Sequence, residues 1–108
     1  MMKEHAAAER PEKASRFRGV TKDKKAKAKP WVAKICVVAK DGKRRLIYKA
    51  RFAREEDAAR AYDRINIARL GHAQAKTNFP AAEYRAEWAE LERMGVDAAV
   101  ARERQRLQ

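Results

Sequence analysis

Residues 31–52 read WVAKICVVAKDGKRRLIYKARF, two strand-like runs on either side of a turn signal. β-branched and aromatic side chains, which favour extended structure, are dense in both runs. Asp41-Gly42 between them indicates a tight hairpin turn in which both central residues adopt positive φ. We therefore predict one strand over residues 31–38 and another over about 44–52.

The chain before this hairpin supplies a third extended segment. Residues 16–21 are predicted to form the first strand, and residues 22–29 form a lysine-rich connection to the second. Short connections of this kind place consecutive strands side by side in an antiparallel meander. The chain up to Phe52 is therefore predicted to form a three-stranded antiparallel sheet.

After Phe52 the period of the apolar positions changes from two residues to nearly 3.6 residues, which indicates an amphipathic helix. The helix is predicted from about Arg54 to Leu70, with acidic residues in its first turn and Gly71 as its C-cap. Ala53-Arg54 offers no polar N-cap. The apolar stripe consists of Ala58, Ala61, Tyr62, Ile65 and Ala68.

These elements predict an α+β fold, a three-stranded antiparallel sheet packed on one amphipathic helix, with the other face of the sheet open. We expect residues 1–14 to form a flexible tail and residues 15–80 the main domain. Residues 81–108 form a C-terminal helical extension, interrupted at Gly95. This extension either packs on the domain or serves as an arm that binds a protein partner.

Charge is unevenly distributed along the chain. Of its 27 Lys and Arg residues, 14 lie between Arg16 and Arg51, where the only acids are Asp23 and Asp41. The formal charge of +12 is therefore confined to one third of the sequence. Such asymmetry indicates an anionic polymer as partner. A solvated lysine-rich surface would carry interspersed acids, and membrane-surface binding would need an apolar helical stripe that this segment lacks.

Composition argues against several other classes of protein. A single cysteine, Cys36, cannot form an internal disulfide, and His5 and His72 have no neighbouring ligands for a metal centre. No apolar run approaches the roughly 18 residues of a membrane span. We therefore expect an intracellular, soluble protein that is not an enzyme and needs no cofactor or metal.

Five short motifs now stand in order along the chain. They are Phe17-Arg18-Gly19-Val20, Trp31-Val32-Ala33-Lys34-Ile35, Phe52, Glu55-Glu56-Asp57-Ala58-Ala59-Arg60-Ala61-Tyr62-Asp63 and Thr77-Asn78-Phe79-Pro80. Together, over about 65 of the 108 residues, they resemble the plant-type Apetala/ethylene-responsive-factor DNA-binding domain. The resemblance implies a sheet face that lies in the DNA major groove, and a nuclear transcription factor.

The resemblance also implies where DNA is contacted. Arg18 is the arginine of the opening motif, and Lys34 stands at a polar contact position of the second strand. Tyr48 falls at the aromatic position of the third strand. Tyr62 matches a helix tyrosine that reaches a phosphate.

Two positions depart from the family pattern, because Cys36 and Leu46 stand where many members have arginine. Lys49-Ala50 stand where family members usually have Leu-Gly. The span from Ile35 to Phe52 is also slightly longer than usual in the family, which suggests a longer hairpin or a bulge. Strict alternation back from Phe52 would turn both Leu46 and Tyr48 inward.

The residue pattern adds further candidates. Arg16, Arg18 and Lys34 alternate with apolar neighbours and are expected on the open sheet face, although Arg18 has a surface salt bridge with the helix acids as its alternative role. The lysine-rich connection is expected to follow phosphates, and at most one of Arg44 and Arg45 can face the groove. The full set of expected contacts is Arg16, Arg18, Lys22, Lys29, Lys34, Cys36, Arg44, Arg45, Leu46, Tyr48 and Tyr62.

The expected function is sequence-specific binding of double-stranded DNA, at GC-rich sites and by a single copy of the chain, in a nuclear transcription regulator. Two alternatives stay open. One is a charge-driven nucleic-acid-binding protein without sequence preference. The other is the DNA-reading module of a homing endonuclease that lacks its catalytic half.

Overall fold

A computed structural model describes residues 15–106, so the tail predicted for residues 1–14 lies outside the described residues. The three strands form one antiparallel sheet in the order β1-β2-β3, which together with the helices confirms the α+β class. The elements are β1 (Val20–Lys22), β2 (Trp31–Val38), β3 (Arg44–Phe52), α1 (Glu55–Leu70), a 3-10 segment (Ala81–Glu87) and α2 (Trp88–Arg106).

Strand β1 begins four residues later than the sequence predicts. The Ser15 hydroxyl accepts a hydrogen bond from the Phe17 amide at 3.0 Å, and the Val20 amide donates to the Phe17 carbonyl at 3.3 Å. Gly19 has a φ of 76°, a left-handed conformation that glycine adopts without steric cost. The opening motif is therefore a turn that leads into the strand.

The hairpin between β2 and β3 forms at the predicted place with a different turn. Only Gly42 has positive φ, at 84°, whereas Asp41 does not. The loop has three residues, because the Ala39 amide donates to the Lys43 carbonyl at 2.8 Å. The Asp41 side chain accepts from the Lys43 amide at 3.0 Å, which closes the wider loop. The prediction of positive φ at both central residues was therefore wrong.

Strand β3 contains the expected irregularity as a β-bulge. The register moves from Ile35 opposite Tyr48 to Cys36 opposite Leu46, which leaves Ile47 as the extra residue. Tyr48 is therefore 1% exposed on the side facing α1, while Leu46 is 51% exposed. If inward- and outward-facing side chains alternated strictly back from Phe52, both Tyr48 and Leu46 would face inward. This is correct for Tyr48 and wrong for Leu46, because the extra residue of the bulge lies between them.

Helix α1 covers the inner face of the sheet with small side chains. Ala58, Ala61 and Ile65 are buried against a sheet surface that includes Ala33 and Ile35. The helix begins at Glu55 without a side-chain cap, as expected, and its first turn is acidic. Its C-cap is Gly71, with a φ of 84° and an amide that donates to the Ile67 carbonyl at 2.7 Å.

The C-terminal helix packs on the domain, as one of the two sequence-based alternatives predicts. Leu91 and Ala99 are buried in the common core. The His72 ring stacks on Trp88 with centroids 3.8 Å apart, and His72 Nδ1 lies 2.6 Å from Glu92 Oε2. This contact fastens the chain after α1 to the start of α2, which is broken at Gly95 as predicted.

A single buried carboxylate joins α1 to the segment that follows it. Asp63 is fully buried and accepts hydrogen bonds from the Asn78 amide at 2.7 Å, the Phe79 amide at 3.0 Å and the Tyr84 hydroxyl at 2.6 Å. The Asn78 side-chain amide adds a fourth at 3.2 Å. Burial raises the pKa of Asp63, and the donated hydrogen bonds oppose that rise.

Replacing this carboxylate with an amide removes acceptor capacity without changing its shape. We expect Asp63→Asn to lower the free energy of unfolding by about 3 kcal/mol, because buried donors lose their partner. Urea unfolding measures the change, and Asp97→Asn, at an exposed acid of α2, is the matched control. Equal stability of the two variants would show that the Asp63 network contributes little to the fold.

Candidate nucleic-acid interface

The outer face of the sheet, turned away from α1, is open over the hairpin. Residues opposite each other in the β2–β3 register share a face, and the pairs containing Ala33, Ile35 and Tyr48 are on the inner side because those side chains are buried in the core. The alternate positions define the outer face. Its exposed side chains on β2 and β3 are Lys34, Cys36, Val38, Arg44, Leu46, Lys49 and Arg51.

Midway along β2 and β3, where the open part of the outer face begins, two lysines stand opposite each other. Lys34 pairs with Lys49 across the two strands, and both side chains are exposed. Neither forms an ion pair with another residue between 15 and 106. Like charges placed directly opposite destabilise a sheet. A polyanion that contacts both ammonium groups would relieve this repulsion.

One end of the outer face is closed by an ion pair. Arg51 of β3 lies 3.0 Å from Asp23, which follows β1, and Val32 between these strands is only 6% exposed. Hydrogen bonds from the Lys25 amide and from the Arg51 guanidinium lower the pKa of Asp23. The open surface therefore begins at Lys34 and extends toward the hairpin turn.

Arg18 stands beside this surface on a firmly held main chain. Its amide donates to Asn78 Oδ1 at 2.6 Å, and its carbonyl accepts from Asn78 Nδ2 at 3.0 Å. Gly19, the next residue, accepts a hydrogen bond from the Lys34 amide at 2.9 Å. The Arg18 side chain is exposed and has no ion pair within the described part of the chain. It is therefore free to bind a ligand.

Two predicted contact residues lie elsewhere. Arg16 pairs with Glu55 at 3.5 Å and with Glu56 at 3.4 Å, so it lies against the start of α1 and not on the open sheet face. It is this arginine, rather than Arg18, that forms the salt bridge with the helix acids. Lys22 pairs with Trp31 on the inner side of the sheet, and its Nζ lies 5.4 Å from the centre of the indole ring.

Tyr48 is not available at the interface that the resemblance implies. It lies on the inner face, nearly inaccessible, in the core beneath β3. Burial raises the pKa of its hydroxyl, and that hydroxyl has no hydrogen-bond partner among residues 15–106. Contact with DNA would require Tyr48 to leave the core, so its assignment to the interface is corrected.

Tyr62 packs closely against the opening turn. A Cβ atom at Gly19 would lie 2.1 Å from Tyr62 Cε2, so the ring occupies the space of any side chain at that position. Tyr62 is half-buried. This packing fixes the turn next to Arg18, and the contact between Tyr62 and a phosphate stays a prediction.

The two arginines that follow the hairpin turn occupy opposite faces. Arg44 pairs with Val38 on the outer face, while Arg45 pairs with Val37 on the inner one. Both are exposed because this end of the hairpin carries few neighbours that cover them. Arg44 is therefore the arginine of this pair that joins the open surface.

A cationic cavity of about 530 Å³ adjoins the edge of β3. Its lining consists of Ala50 and four cations, Lys29, Lys49, Arg51 and Arg104. Sequence reasoning identified Lys29 and missed the others. Strict alternation back from Phe52 would have placed Lys49 and Arg51 on the outer face, because the bulge lies beyond them. No local pattern could have found Arg104, which α2 brings to the sheet from the far end of the chain.

No protein-family model matches the chain, and no curated protein matches it significantly. Among residues 15–106, no helix combines the length and apolar character needed to cross a membrane.

Removing the buried hydroxyl separates a core role of Tyr48 from a role in binding. We expect Tyr48→Phe to keep its affinity for duplex DNA unchanged and to be as stable as the parent or about 1 kcal/mol more stable, because the lost group is unpaired. Urea unfolding and fluorescence anisotropy give the two readouts. A selective loss of DNA affinity in a folded Tyr48→Phe protein would return Tyr48 to the interface.

Proposed function

We propose that this protein binds double-stranded DNA sequence-specifically, with the outer face of its sheet in the major groove, and acts as a transcription regulator. The observation that carries the proposal is the pair of opposed lysines, Lys34 and Lys49, on the exposed basic face. A fold keeps such a pair at a cost in stability. A partner with closely spaced negative charges neutralises the repulsion between the two lysines, and this favours binding.

The dimensions of the hairpin suit the groove. Lys34 and Val38 are four residues apart, or about 13 Å along an extended strand. The major groove of B-form DNA is roughly 12 Å wide and admits a two-stranded β-ribbon. Cations at the two ends, Lys34 with Lys49 and Arg44 opposite Val38, would then reach the phosphates on both sides.

Arg18 is the best placed residue to read a base. Hydrogen bonds from Asn78 hold its main chain on both sides, so little backbone freedom is lost on binding. Its guanidinium is exposed, and the arginine fork matches the O6 and N7 acceptors of guanine. We assign Arg18 to base recognition at one G·C pair.

The cationic cavity has a different role. Lysines and arginines that contact only phosphate position a protein on the duplex and carry no direct sequence information. Lys29 and Arg104 lie at the edge of the sheet and not at the centre of its outer face. We assign them to the DNA backbone beside the groove. The C-terminal helix would thereby extend the interface beyond the three-stranded sheet.

The sequence motifs support the same reading. The resemblance to the Apetala/ethylene-responsive-factor domain rests partly on Tyr62-Asp63 and Asn78-Phe79, and these residues connect α1 to the main chain of Arg18. The motif thus has a physical purpose, which is to position the opening turn. We propose a nuclear location and a role as a transcription regulator by analogy with that family.

Selection from a random duplex library tests the proposal directly. We expect a short recovered motif that binds about a thousandfold more tightly than scrambled duplex in fluorescence anisotropy. Recovery of no motif, with affinity that falls with salt at a slope of about −0.9 per phosphate contacted, would establish the charge-driven alternative instead.

Two variants separate base recognition from phosphate binding. We expect Arg18→Ala to weaken binding to the selected site by about 1–3 kcal/mol and to relax selectivity at one base pair. Arg104→Ala should weaken binding to the selected and scrambled duplexes equally and reduce the salt slope by about 1.

Arg93→Ala, at an exposed arginine of α2 outside the cavity, is the matched control for the loss of one positive charge. If Arg18→Ala and Arg93→Ala have the same small effect on both duplexes, Arg18 does not read a base. If Arg104→Ala matches Arg93→Ala, the cavity does not contact the DNA backbone.

A further inference from the structure

Three apolar side chains form an exposed patch inside the basic outer face. We define the apolar patch as Cys36, Val38 and Leu46. Val38 is 67% exposed, Leu46 is 51% exposed, and Cys36 is an exposed free thiol. Cys36 and Leu46 are paired across the strands, and Val38 follows Cys36 by two residues on the same face. The three are therefore contiguous.

The bulge in β3 creates this patch. Regular alternation would turn Leu46 toward the core, together with Tyr48. The extra residue, Ile47, reverses the phase and places Leu46 opposite Cys36 on the solvent side. Isolated apolar side chains are common on protein surfaces, whereas contiguous exposed apolar patches mark interaction sites.

The charges around the apolar patch indicate what covers it. Along β2 the patch is preceded by Lys34, which stands opposite Lys49, and at its other end Arg44 stands opposite Val38. No acidic side chain is among the outer-face residues between these cations. An apolar strip with cations at both ends complements a surface that is apolar in the middle and anionic at its rims.

The DNA major groove has this arrangement at particular sequences. Its rims are phosphates, and the floor at a T·A pair presents the C5-methyl group of thymine, which apolar side chains contact. Arginine at the positions of Cys36 and Leu46 would address guanine instead. Cysteine and leucine have no strong donor that could do so.

From this arrangement we infer that the apolar patch reads the C5-methyl groups of pyrimidines, those of thymine in unmodified DNA, at the steps facing Cys36 and Leu46. The inference rests on the proposed function and names its substrate class, a site that combines a guanine for Arg18 with methyl-bearing pyrimidines beside it. It modifies the expectation of a GC-rich site by adding thymine beside the guanine. 5-Methylcytosine presents a methyl group at the same place in the groove and is the second source of this chemistry.

The test replaces thymine by uracil, which removes the methyl group and leaves every hydrogen-bonding group in place. Each thymine of the selected duplex is replaced in turn, and the dissociation constant is measured by fluorescence anisotropy. We expect a loss of about fourfold at one or two adjacent positions, the equivalent of one methyl group no longer buried. A parallel selection from a library with every cytosine methylated at C5 shows whether 5-methylcytosine substitutes for thymine.

Protein variants connect the lost methyl to the patch. Leu46→Ala should bind the thymine duplex several-fold more weakly and lose nothing further when the sensitive thymine becomes uracil. Leu70→Ala, at an apolar residue of α1 that is 42% exposed and lies outside the sheet, should leave the thymine effect intact.

The outcomes distinguish this inference from the proposed function. A defined motif that lacks thymine, or one whose uracil forms bind equally well, overturns the inference and leaves sequence-specific binding in place. If the protein self-associates, Leu46→Ala abolishes this self-association, and no thymine effect is found, the apolar patch binds a second copy of the chain. That result also overturns the inference. Absence of any motif contradicts both proposals together.

Discussion

The arrangement of this protein depends on the buried carboxylate of Asp63. Four donated hydrogen bonds hold Asn78, Phe79 and Tyr84 against α1, and Asn78 in turn holds the main chain of Arg18 on both sides. A buried charge is tolerated only when it is well hydrogen-bonded. The carboxylate therefore requires the later segment to be in place, and that segment orients the turn before β1. Stability of the core and the position of an exposed arginine are consequences of one network.

Charge is separated between the two sides of the sheet. Several acids of the helical part are paired with arginines, as in the contacts of Arg60 with Glu83 and Arg64 with Glu87. The outer face instead keeps Lys34 and Lys49 opposite each other without a described counter-ion. A sequence selected for stability alone would place an acid at one of these positions. The pair of lysines is therefore the feature of this face on which the proposed function rests.

Much of the fold could be predicted because local rules applied. Residue pattern predicted the three strands and α1, although β1 begins four residues late, and Gly71 was predicted to end the helix. The long span from Ile35 to Phe52 predicted a longer hairpin or a bulge, and the structure has both a three-residue loop and a bulge. Prediction failed where one residue changes the phase of a strand, since Ile47 decides that Tyr48 is buried and Leu46 exposed. It also failed at Arg104, which tertiary packing alone brings to the sheet. Candidate sites on strands thus depend on register, which no residue encodes by itself.

The central claim is that the outer face of the hairpin contacts duplex DNA, and backbone amide chemical-shift mapping by NMR tests it most directly. Titration with the selected duplex should shift the amides of residues 34–38 and 44–49 and of Arg18 most strongly, with small changes on the solvent side of α1. Shifts concentrated on α1 and the distal part of α2, with the hairpin unchanged, would contradict the account.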